Sequence, residues 1–162
     1  MRMFQKVLIL SVALTSVFFV LCRPRLVNED GFFMQRKNMV RTQIISRGVT
    51  DPKVIKAMLK VERHLFVPRE IRKFSYDDAP LSIGEGQTIS QPFIVAFMTE
   101  ALRLKAGDRV LEVGTGSGYQ AAVLAEIVRE VYTVEINENL AASAAERLQG
   151  LGISNVRVAC AD

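Results

Sequence analysis

The chain has 162 residues, a formal net charge of +4, two cysteines and one histidine. Arg2, Lys6, Arg23 and Arg25 supply the whole excess; without them 17 basic side chains face 17 acidic ones. A neutral globular part offers no electrostatic footprint for nucleic acid. Cys22 and Cys160 have neither metal-ligand nor redox-motif spacing, so neither a disulfide nor a metal site is expected.

Between the basic pairs, Val7 to Cys22 is uncharged and mostly apolar. Sixteen residues are short for a membrane span and suit a signal-peptide core or a signal anchor. There is no A-x-A cleavage pattern, and Leu21 before Cys22 matches a lipoprotein site poorly. Residues 1–25 are therefore set apart as a targeting or anchor segment. A buried core helix or a misassigned start codon is the alternative. The rest divides into a helical and loop region, 26–92, and a strand–helix region, 93–162. Residues 26–75 carry 11 basic and 5 acidic groups, which fits solvated helix faces better than a docking patch.

Glu29 to Arg47 has the spacing of an amphipathic helix with Phe33, Val40, Ile44 and Ile45 on its apolar side, stopped by Gly48. Asp51-Pro52 restarts a helix as N-cap and first-turn proline, with Val54, Ile55, Met58 and Leu59 facing inward. His64, the only histidine, has no serine, cysteine or ligand set beside it and reads as structural. From Tyr76 to Gln91 the chain is rich in glycine, hydroxyl and amide groups. Pro92 then opens an apolar helix through Phe93, Ile94, Phe97, Met98, Ala101 and Leu102. Thr88, Ser90 and Gln91 thus precede a helix N-terminus. Polar donors there suit a carboxylate, and they equally suit helix capping.

Arg109 to Val113 is a short apolar run after a turn signal and reads as a buried strand. Gly114, Gly116 and Gly118 break it, and an apolar helix follows from Tyr119 to Val128. The pattern is E-x-G-x-G-x-G, with Glu112 two residues before the first glycine. It differs from the G-x-G-x-x-G of dinucleotide-binding loops. A second strand, Val131 to Ile136, places Glu135 about twenty residues beyond the first glycine, where a doubly wound fold holds the carboxylate that accepts from ribose hydroxyls. Strand context and both acids point to a nucleoside-type ligand. A third strand is expected at Val156–Cys160.

Leu81-Ser-Ile-Gly-Glu-Gly-Gln-Thr-Ile-Ser-Gln-Pro92 together with Val110-Leu-Glu-Val-Gly-Thr-Gly-Ser-Gly-Tyr-Gln120 resembles the bacterial protein-L-isoaspartate O-methyltransferases, over roughly residues 35 to 162 and including Phe66-Val-Pro68. The resemblance implies an α/β fold, the Rossmann-like fold of methyltransferases dependent on S-adenosylmethionine (AdoMet). Its sheet would be doubly wound and mostly parallel. It implies AdoMet as methyl donor and no metal. Ser90 would be the active-site residue at the isoaspartyl carboxylate, with Thr88 and Gln91 beside the substrate. Glu112, Gly114 and Gly116 would surround the methionine part of AdoMet, Gly118 would also bind the cofactor, Glu135 would take the ribose, and Asp162 the adenine amino group.

The implied reaction is methyl transfer to the α-carboxylate of isoaspartyl residues in damaged proteins and peptides. That nucleophile is already ionised at neutral pH, so no strong base is needed. Positioning and water exclusion would supply the rate. Only the first three strands of such a sheet are legible, which leads to the expectation of a fragment with strand 1 at a sheet edge. Another methyl acceptor, or an inactive membrane-tethered AdoMet-binding remnant, are the alternatives. Isoaspartyl proteins would be the partners, nucleic acid would not, and the complete enzyme would be a monomer. AdoMet is made in the cytosol, so the folded part is expected there, with tethering through residues 7–22, or in the periplasm if that segment exports the chain.

Overall fold

The computed structural model describes residues 27–162. The apolar segment 7–22 lies outside them. No helix among the described residues is long and apolar enough to cross a membrane.

Helix α1, Val27–Met39, runs into a π-turn at Val40–Ile44 and a short 3₁₀ turn at Ile45–Arg47. The wider π-turn rotates the residues after it, so the predicted stripe does not continue to Ile45. Val40 and Ile44 are buried with Met39, whereas Phe33 and Ile45 face outward. Gly48 ends the run at φ 96°, a left-handed value that an L side chain adopts only with strain. Helix α2, Pro52–Lys60, begins as expected: the Asp51 carboxylate accepts from Lys53 N at 2.8 Å, with proline in the first turn. Its buried face is Val54, Ala57 and Met58. The face is therefore turned away from the predicted Leu59, which is exposed.

Leu81–Gly84 (β1) and Gln87–Ile89 (β2) pair as an antiparallel hairpin. Helix α3, Pro92–Ala101, buries Val95, Ala96 and Thr99 and leaves Ile94, Phe97 and Met98 exposed. Its Glu100 carboxylate accepts from Thr50 N and Asp51 N at 2.7 and 2.6 Å, which fixes the start of α2 against α3.

The central unit is β3 (Arg109–Val113), α4 (Tyr119–Ala125), β4 (Glu130–Glu135), α5 (Glu138–Gly150) and β5 (Val156–Cys160). The three strands are parallel in the order β3-β4-β5. Both connections are crossovers stepping in the same direction, so right-handedness places α4 and α5 on one face of the sheet. Val131, Thr133 and Glu135 on that face are buried. Strand β3, which reads as buried in the sequence, is covered on one face only: Leu111 is 65% and Val113 81% exposed on the opposite face. Beneath α4 and α5, one core joins Val40, Met58, Phe66, Tyr119, Val123 and Val131. His64 belongs to its margin, stacked on Phe32 at 4.2 Å with Nδ1 2.8 Å from Tyr76 Oη, as a structural histidine should be. Burial lowers its pKa below the usual histidine range.

Candidate active site

The glycine loop is held from below by the sheet. Gly114 N and Thr115 N both donate to Val134 O, at 2.8 and 3.1 Å, and Gly118 N donates to Thr115 O at 2.8 Å. Gly116 at φ 52° and Gly118 at φ 83° follow a path that side-chain-bearing residues avoid. A Cβ on Gly118 would also stand 3.3 Å from Leu148 Cδ1, so this glycine lets the loop pack on α5. A Cβ on Gly116 would reach Ile83 Cδ1 at 3.4 Å, because the β1–β2 hairpin lies over the loop. The hairpin tip is fastened to α5, where Glu85 accepts from Asn137 Nδ2 and Asn139 Nδ2 at 3.2 and 3.4 Å.

Glu112 and Thr133 are register partners on adjacent parallel strands, so their side chains share the helix-covered face. Thr133 Oγ1 donates to Glu112 Oε2 at 2.6 Å and lies 2.7 Å from Thr115 Oγ1. Since a hydroxyl has one proton, Thr115 donates to Thr133 when Thr133 donates to Glu112. Burial pushes the Glu112 carboxyl up to about 7, the nearby Glu135 charge adds to this, and the Thr133 hydrogen bond opposes it. Glu135, buried at the end of β4, accepts from Gly116 N (2.8 Å, Oε2) and Asn137 N (3.0 Å, Oε1). Ala161 N donates to Glu135 O at 3.1 Å, which brings the exposed Asp162 to the same end of the sheet.

Thr88 and Ser90 meet Glu112, Gly114 and Gly116 in one cavity of about 60 Å³, also lined by Gln120. Ser90 is exposed, and among the described residues its hydroxyl has no partner. Gln91 is the N-cap of α3, yet no side chain caps that helix. The capping alternative for Ser90 and Gln91 therefore fails. Gln91 Nε2 instead donates to Asp78 Oδ1 and Asp78 O, at 2.7 and 3.1 Å. Asp78 in turn takes Arg47 Nη1 at 3.0 and 3.2 Å, and the Arg47 guanidinium lies 3.9 Å over the Phe93 ring. A second hollow of about 190 Å³, lined by Ile83, Glu85, Gly116, Ser117, Asn139 and Arg147, opens on the other side of Gly116. Neither Asp162 nor Gly118 lines either space.

Thr133, Thr115, Gln120 and Asp78 were not singled out from the sequence. Thr133 had a signal: it alternates with Glu135 as the polar position of an otherwise apolar strand. Asp78 had none, because its partner Arg47 lies 31 residues away.

The family model for protein-L-isoaspartate(D-aspartate) O-methyltransferase matches residues 34–162. The chain belongs to this family. A protein-L-isoaspartate O-methyltransferase of Synechococcus sp. (strain JA-2-3B'a(2-13)) is 59% identical over 130 residues, 80% of this chain and 53% of its own length. The one of Petrotoga mobilis is 54% identical over 125 residues, 77% of this chain and 59% of its own. The chain thus spans just over half the length of these relatives. Among solved structures, a protein-L-isoaspartate O-methyltransferase is similar with TM-score 0.70 and 32% identity, over 78% of this chain and 42% of its own. A beta-aspartate methyltransferase from Plasmodium falciparum, in complex with S-adenosyl-L-homocysteine, has TM-score 0.63 and 27% identity over 79% of this chain and 62% of its own. The α/β architecture is that of this family, a Rossmann-like methyltransferase fold.

Proposed function

We propose that the chain transfers a methyl group from AdoMet to the α-carboxylate of L-isoaspartyl residues in damaged proteins. One observation carries the reading: a single cavity has Ser90 and Thr88 on one wall and Glu112, Gly114 and Gly116 on the other. The polar end of the hairpin and the acid-plus-glycine loop, 20 or more residues apart, converge on the same space.

The residues suit AdoMet. Gly114 and Gly116 add no side chain to the cavity wall, and Glu112 sets a carboxylate there. Each Glu135 oxygen already accepts one backbone amide and retains a second lone pair for a ribose hydroxyl. Asp162, just past β5, would reach the adenine amino group. AdoMet supplies an electrophilic methyl group on a sulfonium. Everything else is positioning. The Ser90 hydroxyl, free of other duties, orients the acceptor carboxylate by donating to it, and Thr88 is the adjacent donor. Gln91 contributes its remaining amide oxygen while its nitrogen holds Asp78. The hairpin over Gly116 keeps water from the reacting atoms. No proton need be abstracted, since the acceptor is ionised at neutral pH. The supply of AdoMet favours the cytosol as the working compartment.

The test is transfer of radiolabelled methyl to an isoaspartyl peptide and to its aspartyl twin. It is measured on this chain and on a version extended to its relatives' length. Only the isoaspartyl peptide should be labelled, and Ser90→Ala should reduce labelling at least about tenfold while leaving AdoMet affinity nearly unchanged. Equal labelling of both peptides, or a Ser90→Ala variant that loses cofactor binding and not acceptor kinetics, would overturn the assignment.

A further inference from the structure

Asn137 stands between the hairpin tip and the carboxylate proposed to hold the ribose. Its backbone N–H donates to Glu135 Oε1 at 3.0 Å. Its side-chain Oδ1 accepts from Leu140 N at 3.0 Å and so caps α5. With the amide oxygen committed there, the nitrogen faces the other way, and Nδ2 donates to Glu85 Oε2 at 3.2 Å. Glu85 Oε1 takes Asn139 Nδ2 at 3.4 Å, so one carboxylate is shared by two amides at the start of α5. Little else holds the tip. From Gly84 to Thr88 the hairpin is exposed, and the hollow of about 190 Å³ lined by Gly84, Glu85, Asn139, Leu140 and Ser143 lies between it and α5. A two-stranded hairpin is marginally stable in water by itself, so its closure over Gly116 depends on what it is tied to. A glycine would take the φ of 50° at Glu85 without strain; what glutamate adds is the two-sided carboxylate.

We infer that Asn137 is a positioning residue for the cofactor, coupling closure of the β1–β2 hairpin to the aim of Glu135. This rests on the AdoMet reading above. The contacts form a closed ring. Glu85 at the hairpin tip holds the Asn137 side chain, and the Asn137 N–H holds Glu135 Oε1. Glu135 Oε2 holds Gly116 N, and Gly116 lies under Ile83 of the same hairpin. With the hairpin down, both oxygens of the ribose carboxylate are fixed and the glycine loop is covered. Lifting the tip breaks the ring at Glu85, loosens the first turn of α5 beneath Glu135 and opens the way to the loop. The clasp therefore lengthens the stay of a nucleoside ligand. Asn137 does this through Glu85 and Glu135, not by acting on the reacting atoms.

The experiment reverses the polarity of the clasp. Aspartate caps a helix as well as asparagine, so Asn137→Asp keeps the bond to Leu140 N and loses only the donor toward Glu85, leaving two carboxylates face to face. Adding Glu85→Gln restores the clasp at the parent's net charge: its Nε2 donates to the new carboxylate and its Oε1 still accepts from Asn139 Nδ2. Release of S-adenosylhomocysteine is timed on the full 162-residue chain, tethered sparsely to a sensor surface. Asn137→Asp alone should speed release about fivefold and Glu85→Gln alone about twofold, as exposed contacts allow. Independent effects would multiply to about tenfold, whereas the pair together should fall within about twofold of the parent. Glu85→Gly suits the turn better yet removes both ties, so it too should release the ligand faster. A pair as fast as the product of its members, or single variants that match the parent, overturns the inference and leaves the AdoMet reading standing. A parent chain that binds no S-adenosylhomocysteine refutes the AdoMet reading, and this inference with it.

Discussion

Thr133 faces Glu112 across β3 and β4 and gives that carboxylate its one hydrogen bond among the described residues. A bond to an ionised group contributes about 1.5–3 kcal/mol. Its effect should be visible as a pH dependence. Burial raises Glu112 to about 7, so ionising it costs stability as pH rises from the ordinary carboxylate range through about 7. A ligand ammonium needs the ionised form, so affinity for S-adenosylhomocysteine should climb through the same window. Thr133→Val removes the bond that opposes the shift and pushes the carboxyl higher. We expect roughly tenfold weaker binding at pH 7, with much of the loss recovered at pH 8.5 as Glu112 becomes ionised in the variant too. Titration calorimetry at the two pH values decides the matter; a loss of the same size at both would remove Thr133 from this role. Glu112 and Glu135 were legible in the sequence because an acid beside a glycine turn and an acid ending a strand are local patterns. The hydroxyls between them became visible only once strand register set Thr133 beside Glu112.

Among the elements, the hairpin is what sequence reading missed and the strands are what it found. Arg109–Val113 and Val156–Cys160 were placed to the residue, since short β-branched runs bounded by turn residues have few other readings. The hairpin turn, Glu85-Gly86, has φ 50° and 68°, the two positive values of a type I′ turn. Asn-Gly is the usual signature there, and a glutamate in first place conceals it. The reason for glutamate is tertiary: its carboxylate is needed by Asn137 and Asn139. At the other end of the segment, Arg47, Asp78 and Gln91 tie the run-in to β1 to the start of α3 and so set where Ser90 stands. Asp78→Ala breaks both ties. Exposed contacts of this sort contribute only about 0–1 kcal/mol each. The variant should therefore keep its fold and its cofactor affinity, while kcat/KM for an isoaspartyl peptide falls about three- to tenfold as Ser90 loses its fixed place. Peptide kinetics matched to the parent would show that the clasp does not position the site.

At the scale of the whole molecule, the sheet formed by the described residues is covered on one face only. Crossovers α4 and α5 cover that face, and the other presents Leu111 and Val113 beside the edge of β3 that has no partner strand among the described residues. Helix α3 adds Phe97, Met98 and Leu102 to the exposed apolar surface. Exposed apolar area and a free strand edge recruit other chains. Residues 27–162 on their own should self-associate at micromolar concentration and bind a hydrophobic dye. Leu111→Lys with Val113→Lys should shift the sedimentation profile toward monomer. A parent that sediments as a monomer and melts in one sharp transition would show that this face is stable in water. An unbroken apolar run looks the same whether one side of a strand is covered or both, so the run alone does not say which face is open.

Cys160 ends β5 in register with Glu135 and is exposed, the one free thiol among the described residues. With Cys22 replaced, the sulfur becomes a single attachment point for a fluorophore, one strand away from the carboxylate proposed to hold the ribose. The fold thus carries its own optical gauge. Emission from a dye at Cys160 would follow nucleoside arrival in real time, with no radioactivity and no acceptor peptide.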